Sequence, residues 1–578
     1  MAEDNSFSEL ENLKKDFLLN PTLVVGPYYQ DIHKHIADVY LANKQELKGI
    51  YHLTEAHAAT LRQQTVIRYD YKQDLIKSNR TTSSKIPVEQ GIQKKYVDFQ
   101  SDLAKDEENG LLARLQEMPK EWTVVQITRE LTPSEQLKVR PKDTPSEPAN
   151  IYITRLHCGE TLKENNPITV LVEKPEKPPG MPTVYELMKQ AIECLRTKKT
   201  RPQEIRKERE KGSQYIKDVA EAMSSKMLKE WKCLFTGRLC CNTYNQKIRA
   251  CIDKVVNSDK FQTYKMDGKD RQLLYQVVDG CVYLNKAEIH SAVCCLVDSK
   301  ELGIDLIKAI NAFKEDMAML LAARRYPVIL IVDDALDGLP WEMLPMFKKH
   351  PVSRVPSIHF LHALYHEHKN QIVDGCRLVS NLDLGFYVVN PGQDLKEMES
   401  RLMGFLQKRV PQWKGVSGQS PSENEFCSAL VDHNVFLYCG HFNGSHYLRP
   451  EDISQLRVVA LPLLFGCSSV ALQDLGGRAE PTGVSDKYIM AGSACVIGML
   501  WTVTSDDTDC MTVMILNSWL PGEPIDLKPF RTTGDMLAPN KEPELLRLMR
   551  FARETSQAYS NAAALVARGI PIKMVENK

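Results

Sequence analysis

The sequence predicts an α/β protein with a mainly parallel sheet flanked by helices, and three observations carry that reading. From about residue 303 onward, apolar strand-like runs alternate with amphipathic helical segments, the pattern of a parallel sheet covered on both faces. The strand-like runs, such as "YPVILIVDD" and "VVALPLLFGCSS", are nearly continuous in apolar character rather than alternating, as strands buried on both sides require. Each run then ends in small or polar residues. In sheets of this kind, function gathers beyond the carboxyl ends of the strands.

Taken in order, residues 1 to about 110 read as helical. Within residues 30–71, Ile32, Ile36, Val39 and Tyr40 recur at helical spacing, and neither proline nor glycine occurs between Asp31 and Lys48. "SNRTTSSKIP" breaks the pattern at 78–87. "EWTVVQITRE" and "ANIYITRLH" are short, β-branched and bounded by proline-containing loops, so both predict strands. "VEKPEKPPGMP", 172–182, is a proline-rich connector. After it Thr183 is placed to cap a helix with Glu186 in its first turn. Charged helical sequence follows to about Gly237, with "KTRPQEIRKEREKGSQ" predicting a turn between two long helices or a flexible insertion.

The second half opens with the helix "GIDLIKAINAFKEDMAMLLAARR" and the strand "YPVILIVDD". "GFYVVNPGQD" is a strand ending in a turn, and "LKEMESRLMGFLQK" a helix. Then come the strands "NVFLYCGH", "VVALPLLFGCSS" and "ACVIGMLWTVTSDD". The strand ends carry Asp333, Asn390, His441, Cys467 and the Asp506–Asp507 pair.

Composition narrows the function. Lysine plus arginine equals aspartate plus glutamate at 74 each, so no global field draws nucleic acid or anionic lipid. The acidic start of the chain has no apolar h-region, which predicts no signal peptide. The longest strongly apolar stretch, "YPVILIVDDAL", is far short of the roughly 20 residues of a membrane helix. Fifteen cysteines without any CxxC predict reduced thiols in cytosol or nucleus, most of them small buried core residues, and no zinc ribbon.

Cys467 follows a glycine after an apolar strand, and His441 ends the preceding strand-like run 26 positions earlier, also after a glycine. That interval is long enough to bring the chain back for a neighbouring parallel strand, with strands about 4.8 Å apart. A thiol with a nearby histidine is the pattern of a cysteine nucleophile and its base. The same spacing also fits a buried cysteine and a satisfied histidine.

At this point "FLYCGHFNGSHYL", "LLFGCSSVAL" and "AEPTGVSDKYIMAGSACVIGMLWTVTSDDTD" together resemble the protease domain of the separases, caspase-like cysteine peptidases. "VDDALDGLPWEMLP", "VSRVPSIHFL" and "YVVNPGQDL" resemble the signatures that precede the histidine motif. "EWTVVQIT" and "LKEWKCLF" match more faintly. The resemblance implies a caspase-like sheet in an active domain spanning about 275–578. It implies a related non-catalytic domain at 111–274 with a helical insertion about 183–237, and an N-terminal helical segment at 1–110. It implies a cysteine endopeptidase that cleaves after arginine in Glu-x-x-Arg motifs of the cohesin kleisin subunit, releasing sister chromatids at anaphase. Cys467 matches the nucleophile and His441 the dyad histidine, with backbone amides near Gly440, Phe442 and Cys467 as candidates to stabilise the oxyanion.

A buried arginine needs a carboxylate partner. Asp507 and Asp509 match the family's acidic positions, with Asp507 favoured and Asp506 adjacent. Glu480, Pro481 and Gly483 match an EPxG motif that shapes the loop beside the site, and Trp501 reads as pocket wall or core. The departure from the family is Phe442 in His441-Phe442-Asn443-Gly444, where the usual pattern is His-Gly-x-Gly. If that position needs positive φ or close substrate approach, phenylalanine distorts or narrows the site.

The family resemblance implies no cofactor or metal. As partners it implies securin, an inhibitory chaperone lying along the groove as a pseudosubstrate, and a separate helical-repeat scaffold subunit as in short insect-type separases. It implies no membrane or direct nucleic-acid contact, and a location in cytoplasm and nucleus, on chromosomes or spindle in mitosis. A separase-derived scaffold weakened at Phe442 that still binds securin is the alternative. Other motifs carry weaker readings. His362 and His366 lie four apart in "HFLHALYHEHK" but have no evident third ligand in the sequence, which predicts a surface or packing role. "VDDALDGLPWE" reads as a turn, and "ELLR" (544–547) fits Glu-x-x-Arg but is placed on a helix.

Overall fold

The computed structural model describes residues 26–77, 91–99, 107–131, 149–175, 182–380, 382–476, 479–525 and 541–575, with 527, 530 and 539. The expectations for the chain's first residues, for the polar break at 78–87 and for much of the proline-rich connector fall outside the described residues.

The helical pattern of residues 30–71 divides into three helices, α1 (Gly26–Ala42), α2 (Glu46–Glu55) and α3 (Ala59–Lys77). Lys44 (φ 59°) and Ala58 (φ 54°) take left-handed backbone at the two breaks, so the run ends twice without glycine or proline. Folding back lets the helices bury faces that one long rod would expose: Ala37 and Leu53 meet Tyr152, and Tyr29 and Ala59 meet Phe99. Then α4 (Glu107–Glu117) leads into the sheet.

Among the described residues the main sheet has 11 strands in the order β3-β2-β1-β4-β5-β13-β12-β11-β10-β8-β9. The strands from the first half are β1 (Thr123–Arg129), β2 (Ile151–His157) and β3 (Ile168–Val172), followed by β4 (Val328–Val332) and β5 (Val352–Arg354). β1, β2 and β3 form an antiparallel edge, and β1 continues in parallel into β4 and β5. The sheet therefore runs without interruption across position 274, because β4 pairs with β1.

The insertion begins with α5 (Val184–Leu195) and α6 (Pro202–Ala222). Thr183 accepts from the Glu186 amide at 3.2 Å and Glu186 returns the bond at 2.7 Å, a reciprocal cap. Pro202 opens α6, where its missing N–H costs nothing, so the "KTRPQ" segment is a turn between two helices. Four more helices, α7 (Asn242–Val256), α8 (Gly268–Asp279), α9 (Lys286–Leu296) and α10 (Lys300–Asp316), cover this part of the sheet around a second core.

Beyond β5 come α11 (Ile358–His368), the short strands β6 (Ile372–Val373) and β7 (Cys376–Val379), and β8 (Gly385–Val389). They are followed by α12 (Lys396–Arg409), β9 (Lys414–Ser417), α13 (Glu423–Val431), β10 (Val435–Cys439), α14 (Pro450–Gln455) and β11 (Leu461–Leu464). The chain ends with α15 (Val484–Met490), β12 (Cys495–Met499), α16 (Ser505–Trp519), α17 (Leu545–Glu554), α18 (Tyr559–Ala564), β13 (Leu565–Gly569) and β14 (Ile572–Met574). β8, β10, β11 and β12 pair in parallel, and every residue of β10, β11 and β12 is buried. Leu437 and Leu463 face one another across β10 and β11, each burial stabilising by about 2 kcal/mol.

β13 enters the middle of the sheet from the end of the chain, antiparallel to β12 and parallel to β5. Its Arg568 is buried, and it is compensated by two bonds to Asp337 at 2.9 and 2.5 Å. Arg354 of β5 is likewise buried against Glu342 at 2.8 and 2.6 Å. Asp333 caps a short turn through the Ala335 amide, so the aspartates of "VDDALDGLPWE" are turn and ion-pair residues. All fifteen cysteines are free thiols, but only seven are buried; the rest lie on helix faces and loops, contrary to the expectation that most are core. Among the described residues no helix is long and apolar enough to cross a membrane.

Candidate active site

β10 and β11 pair in parallel with Tyr438 opposite Leu464. His441 and Cys467 each stand three residues beyond that pair, so they leave the sheet side by side. Gly466 fixes the approach of the two loops: a Cβ on it would lie 1.9 Å from the Phe442 carbonyl oxygen and 2.7 Å from that of Gly440. The Tyr438 hydroxyl donates to the His441 carbonyl at 2.7 Å, folding the chain back over its own strand. Both candidates are followed by a non-glycine residue in left-handed backbone, Phe442 and Ser468, each at φ 54°. Such a conformation costs an ordinary residue about 1–2 kcal/mol. Phenylalanine thus adopts the backbone that glycine would supply, and its ring turns outward, 56% exposed.

His441 is exposed and its Nε2 lies 2.8 Å from Oδ2 of Asp394. Asp394 sits in the turn beyond β8, the strand on the other side of β10, so the imidazole is held from the β8 side of its strand. Cys467 is partly buried; its Sγ accepts from the Val503 amide at 3.4 Å and lies 3.5 Å from the Val503 carbonyl. The nearby Cys439 is fully enclosed, and burial pushes its thiol well above the ordinary range, so it has no comparable nucleophilic role. The amide of Ser468 is committed to the Trp501 carbonyl at 3.0 Å.

The acidic stretch forms the first turns of α16. Asp506 is exposed, with Oδ1 2.8 Å from Arg401. Asp507 is buried and accepts from Ser556 Oγ (2.8 Å), Asn561 Nδ2 (2.7 Å) and the Gln557 and Ala558 amides (3.0 and 3.2 Å). Three of these converge on Oδ2, leaving Oδ1 with the Gln557 amide. Asp509 is buried and held by Arg401 of α12 at 2.6 and 3.0 Å; burial still pushes its carboxyl up to about 7. Trp501 is buried, its indole donating to the Ser560 carbonyl at 2.9 Å.

Glu480 reaches across to the first turn of α3, where its oxygens accept from the Thr60 amide at 3.0 and 3.1 Å. Pro481 follows it, and Gly483 begins α15 with its amide donating to Asp486 at 2.9 Å. A cavity of about 960 Å³ opens beside this loop, lined among others by Lys34, Asp333, Glu480, Pro481, Leu500 and Trp501. Neither His441 nor Cys467 lines it; it adjoins the loops on either side of the thiol. The "ELLR" string is closed on itself, Arg547 Nε lying 2.5 Å from Glu544, on α17. Asp394, Arg401 and Val503 were not legible as site residues. Only "YVVNPGQDL", ending a strand adjacent to that of His441, carried a signal for the first.

A mainly parallel α/β sheet that presents a histidine and a cysteine at adjacent strand ends places the chain in the caspase-like class of folds. Residues 183–509 match the family described as separin, protease domain. The chain is 30% identical to mouse separin over 316 residues, covering 53% of this chain and 14% of that protein. It is 31% identical to separin of Schizosaccharomyces pombe over 280 residues, covering 48% and 14% respectively. It thus spans a small fraction of the length of these relatives. A crystal structure of the Saccharomyces cerevisiae separase–securin complex at 2.6 Å matches with a TM-score of 0.65 at 17% identity, over 99% of this chain and 38% of that one. The chain belongs to the separin protease-domain family.

Proposed function

We propose that this chain is a cysteine endopeptidase that cleaves after arginine in Glu-x-x-Arg motifs of the cohesin kleisin subunit, releasing sister chromatids at anaphase. The observation that supports it most directly is the common three-residue projection of His441 and Cys467 beyond a registered strand pair, locked by Gly466. In the proposed reaction Cys467 attacks the scissile carbonyl while His441 accepts the thiol proton and delivers it to the leaving amine. Water then hydrolyses the thioester and regenerates the thiol. With Nε2 held by Asp394, Nδ1 is the nitrogen that exchanges the proton. The amides near Gly440, Phe442 and Cys467 are assigned to the oxyanion.

Arginine recognition is assigned to the acidic turn of α16. Asp507 is favoured by its match to the family position and by its Oδ1, which carries a single donor; Asp506 beside it is exposed and paired with Arg401. Securin is proposed as a groove-binding inhibitor, on the strength of the related yeast complex, and a separate helical-repeat subunit as scaffold. The test is kleisin cleavage by the purified chain with its helical partner, together with labelling by an arginine-directed acyloxymethyl ketone. Wild type and Phe442→Gly should cleave and label, and Cys467→Ser should do neither. Cleavage surviving in Cys467→Ser would sink the assignment, whereas no labelling with securin binding intact would favour a non-catalytic scaffold.

A further inference from the structure

His362 and His366 lie one turn apart on α11, and the fold brings to them the residue that ends α4, Glu117. The Nε2 of each histidine is 2.8 Å from the same oxygen, Oε2 of Glu117, and the two Nε2 atoms are 3.1 Å apart. These three atoms form a compact triangle of ligand-competent donors. An ion about 2.0–2.2 Å from each, the usual zinc distance to imidazole nitrogen and carboxylate oxygen, fits just outside the triangle's plane. Tyr96 fixes both rings, stacking on His366 with centroids 4.2 Å apart and meeting His362 edge-on at 5.2 Å.

We propose that Glu117, His362 and His366 bind a divalent transition-metal ion of the zinc class, which clasps α4 to α11. Two neutral imidazoles and one carboxylate suit zinc, cobalt or nickel, and disfavour magnesium and calcium, which take oxygen ligands. The fourth position faces solvent, because the Glu117 side chain is half exposed, so water completes the coordination. Glu117 ends the helix that leads into β1 and the histidines lie in the helix after β5; the ion therefore braces the N-terminal elements against the protease half. The Nδ1 atoms of both histidines are buried and, among the described residues, have no hydrogen-bond partner. Neither ring thus has on its far nitrogen the carbonyl or carboxylate that strengthens most histidine–metal bonds. The site therefore belongs to the weak, exchangeable class rather than to closed structural zinc.

The full chain, stripped with a chelator, is titrated with cobalt(II) and read by absorption, with Glu117→Gln and His366→Gln alongside. Imidazole and carboxylate ligands give visible d–d bands without a thiolate charge-transfer band. That distinguishes this site from metal taken up by exposed thiols such as Cys294, whose sulfur lies 3.6 Å from His290. Wild type should show the thiolate-free component and lose it to zinc, and each variant should bind it at least about ten-fold more weakly. Zinc should also raise the thermal midpoint of wild type and not of Glu117→Gln, a conservative exposed change that leaves the metal-free melt in place to report folding. Equal thiolate-free uptake by wild type and both variants, or uptake carrying only the thiolate band, overturns the proposal.

Discussion

Gly466 is backed onto the carbonyl of Phe442 so closely that a Cβ there would lie 1.9 Å from that oxygen. The contact joins the loop carrying Cys467 to the loop carrying His441, and both partners are backbone, so no side chain can swing aside. Gly466→Ala is therefore expected to push the two loops apart while leaving β10 and β11 paired below. Labelling of Cys467 by an arginine-directed ketone should slow by about 100-fold, the scale of a misplacement near 1 Å. The thermal midpoint should fall as well. Wild-type labelling would show that the two loops are not coupled through this contact.

Phe442 provides a test free of packing effects, because its ring is exposed while its backbone sits at φ 54°. Phe442→Val puts a β-branched residue where left-handed backbone is least tolerated, and should cost about 1–2 kcal/mol relative to Phe442→Gly. Phe442→Gly itself should be nearly neutral, since relief of strain is offset by greater freedom in the unfolded chain. Denaturant melts of the three proteins check the order. Equal stability of the valine and glycine variants would mean that the loop relaxes out of the left-handed region.

The parallel strands that carry the site were legible because burial on both faces writes them as unbroken apolar runs, as in Val435–Cys439. β13 was not. Arg568 interrupts "ALVARG", and its partner Asp337 lies 231 positions away, so a central strand reads as polar. Chain reversals at Lys44 and Ala58 were equally invisible, since neither is a residue type that marks left-handed backbone. Within the site, strand-end position made His441 and Cys467 candidates, but it fitted a buried cysteine and a satisfied histidine equally, and only the family resemblance singled them out. The Asp394 contact and the Arg401–Asp509 pair could not be read at all, because each joins elements whose adjacency depends on sheet order. The same holds for Glu117: two histidines on one helix face show no third ligand until the fold supplies it from 245 residues away.

Asp394→Asn keeps the shape of the contact with His441 and removes its charge. Both side chains are exposed, at 60% and 52%, so folding stability should change little. The effect should appear in turnover, because the carboxylate 2.8 Å from Nε2 orients the imidazole for proton transfer. A fall of about ten-fold in kcat with KM nearly unchanged is expected on an arginyl peptide substrate. A rise in KM alone would instead assign Asp394 to substrate binding.

Glu480 links the loop after Cys467 to α3, and burial pushes its carboxyl up to about 7 from 4.5. Between those values the folded chain holds a proton that the unfolded chain releases, so this residue's contribution to stability is present below pH 4.5 and is lost as pH rises to 7. Asp334, raised by burial and the adjacent Asp333 charge, and Asp486, raised by burial to about 6, act in the same direction, so the informative quantity is the difference between wild type and Glu480→Gln. Glutamine keeps an oxygen for the Thr60 amide but carries no charge. Relative to wild type it should gain on the order of 2 kcal/mol between pH 5 and pH 8, measured by denaturant melts at the two values. A relative loss over that interval would mean that Glu480 is ionised in the folded chain and that its charge at the start of α3 stabilises the junction.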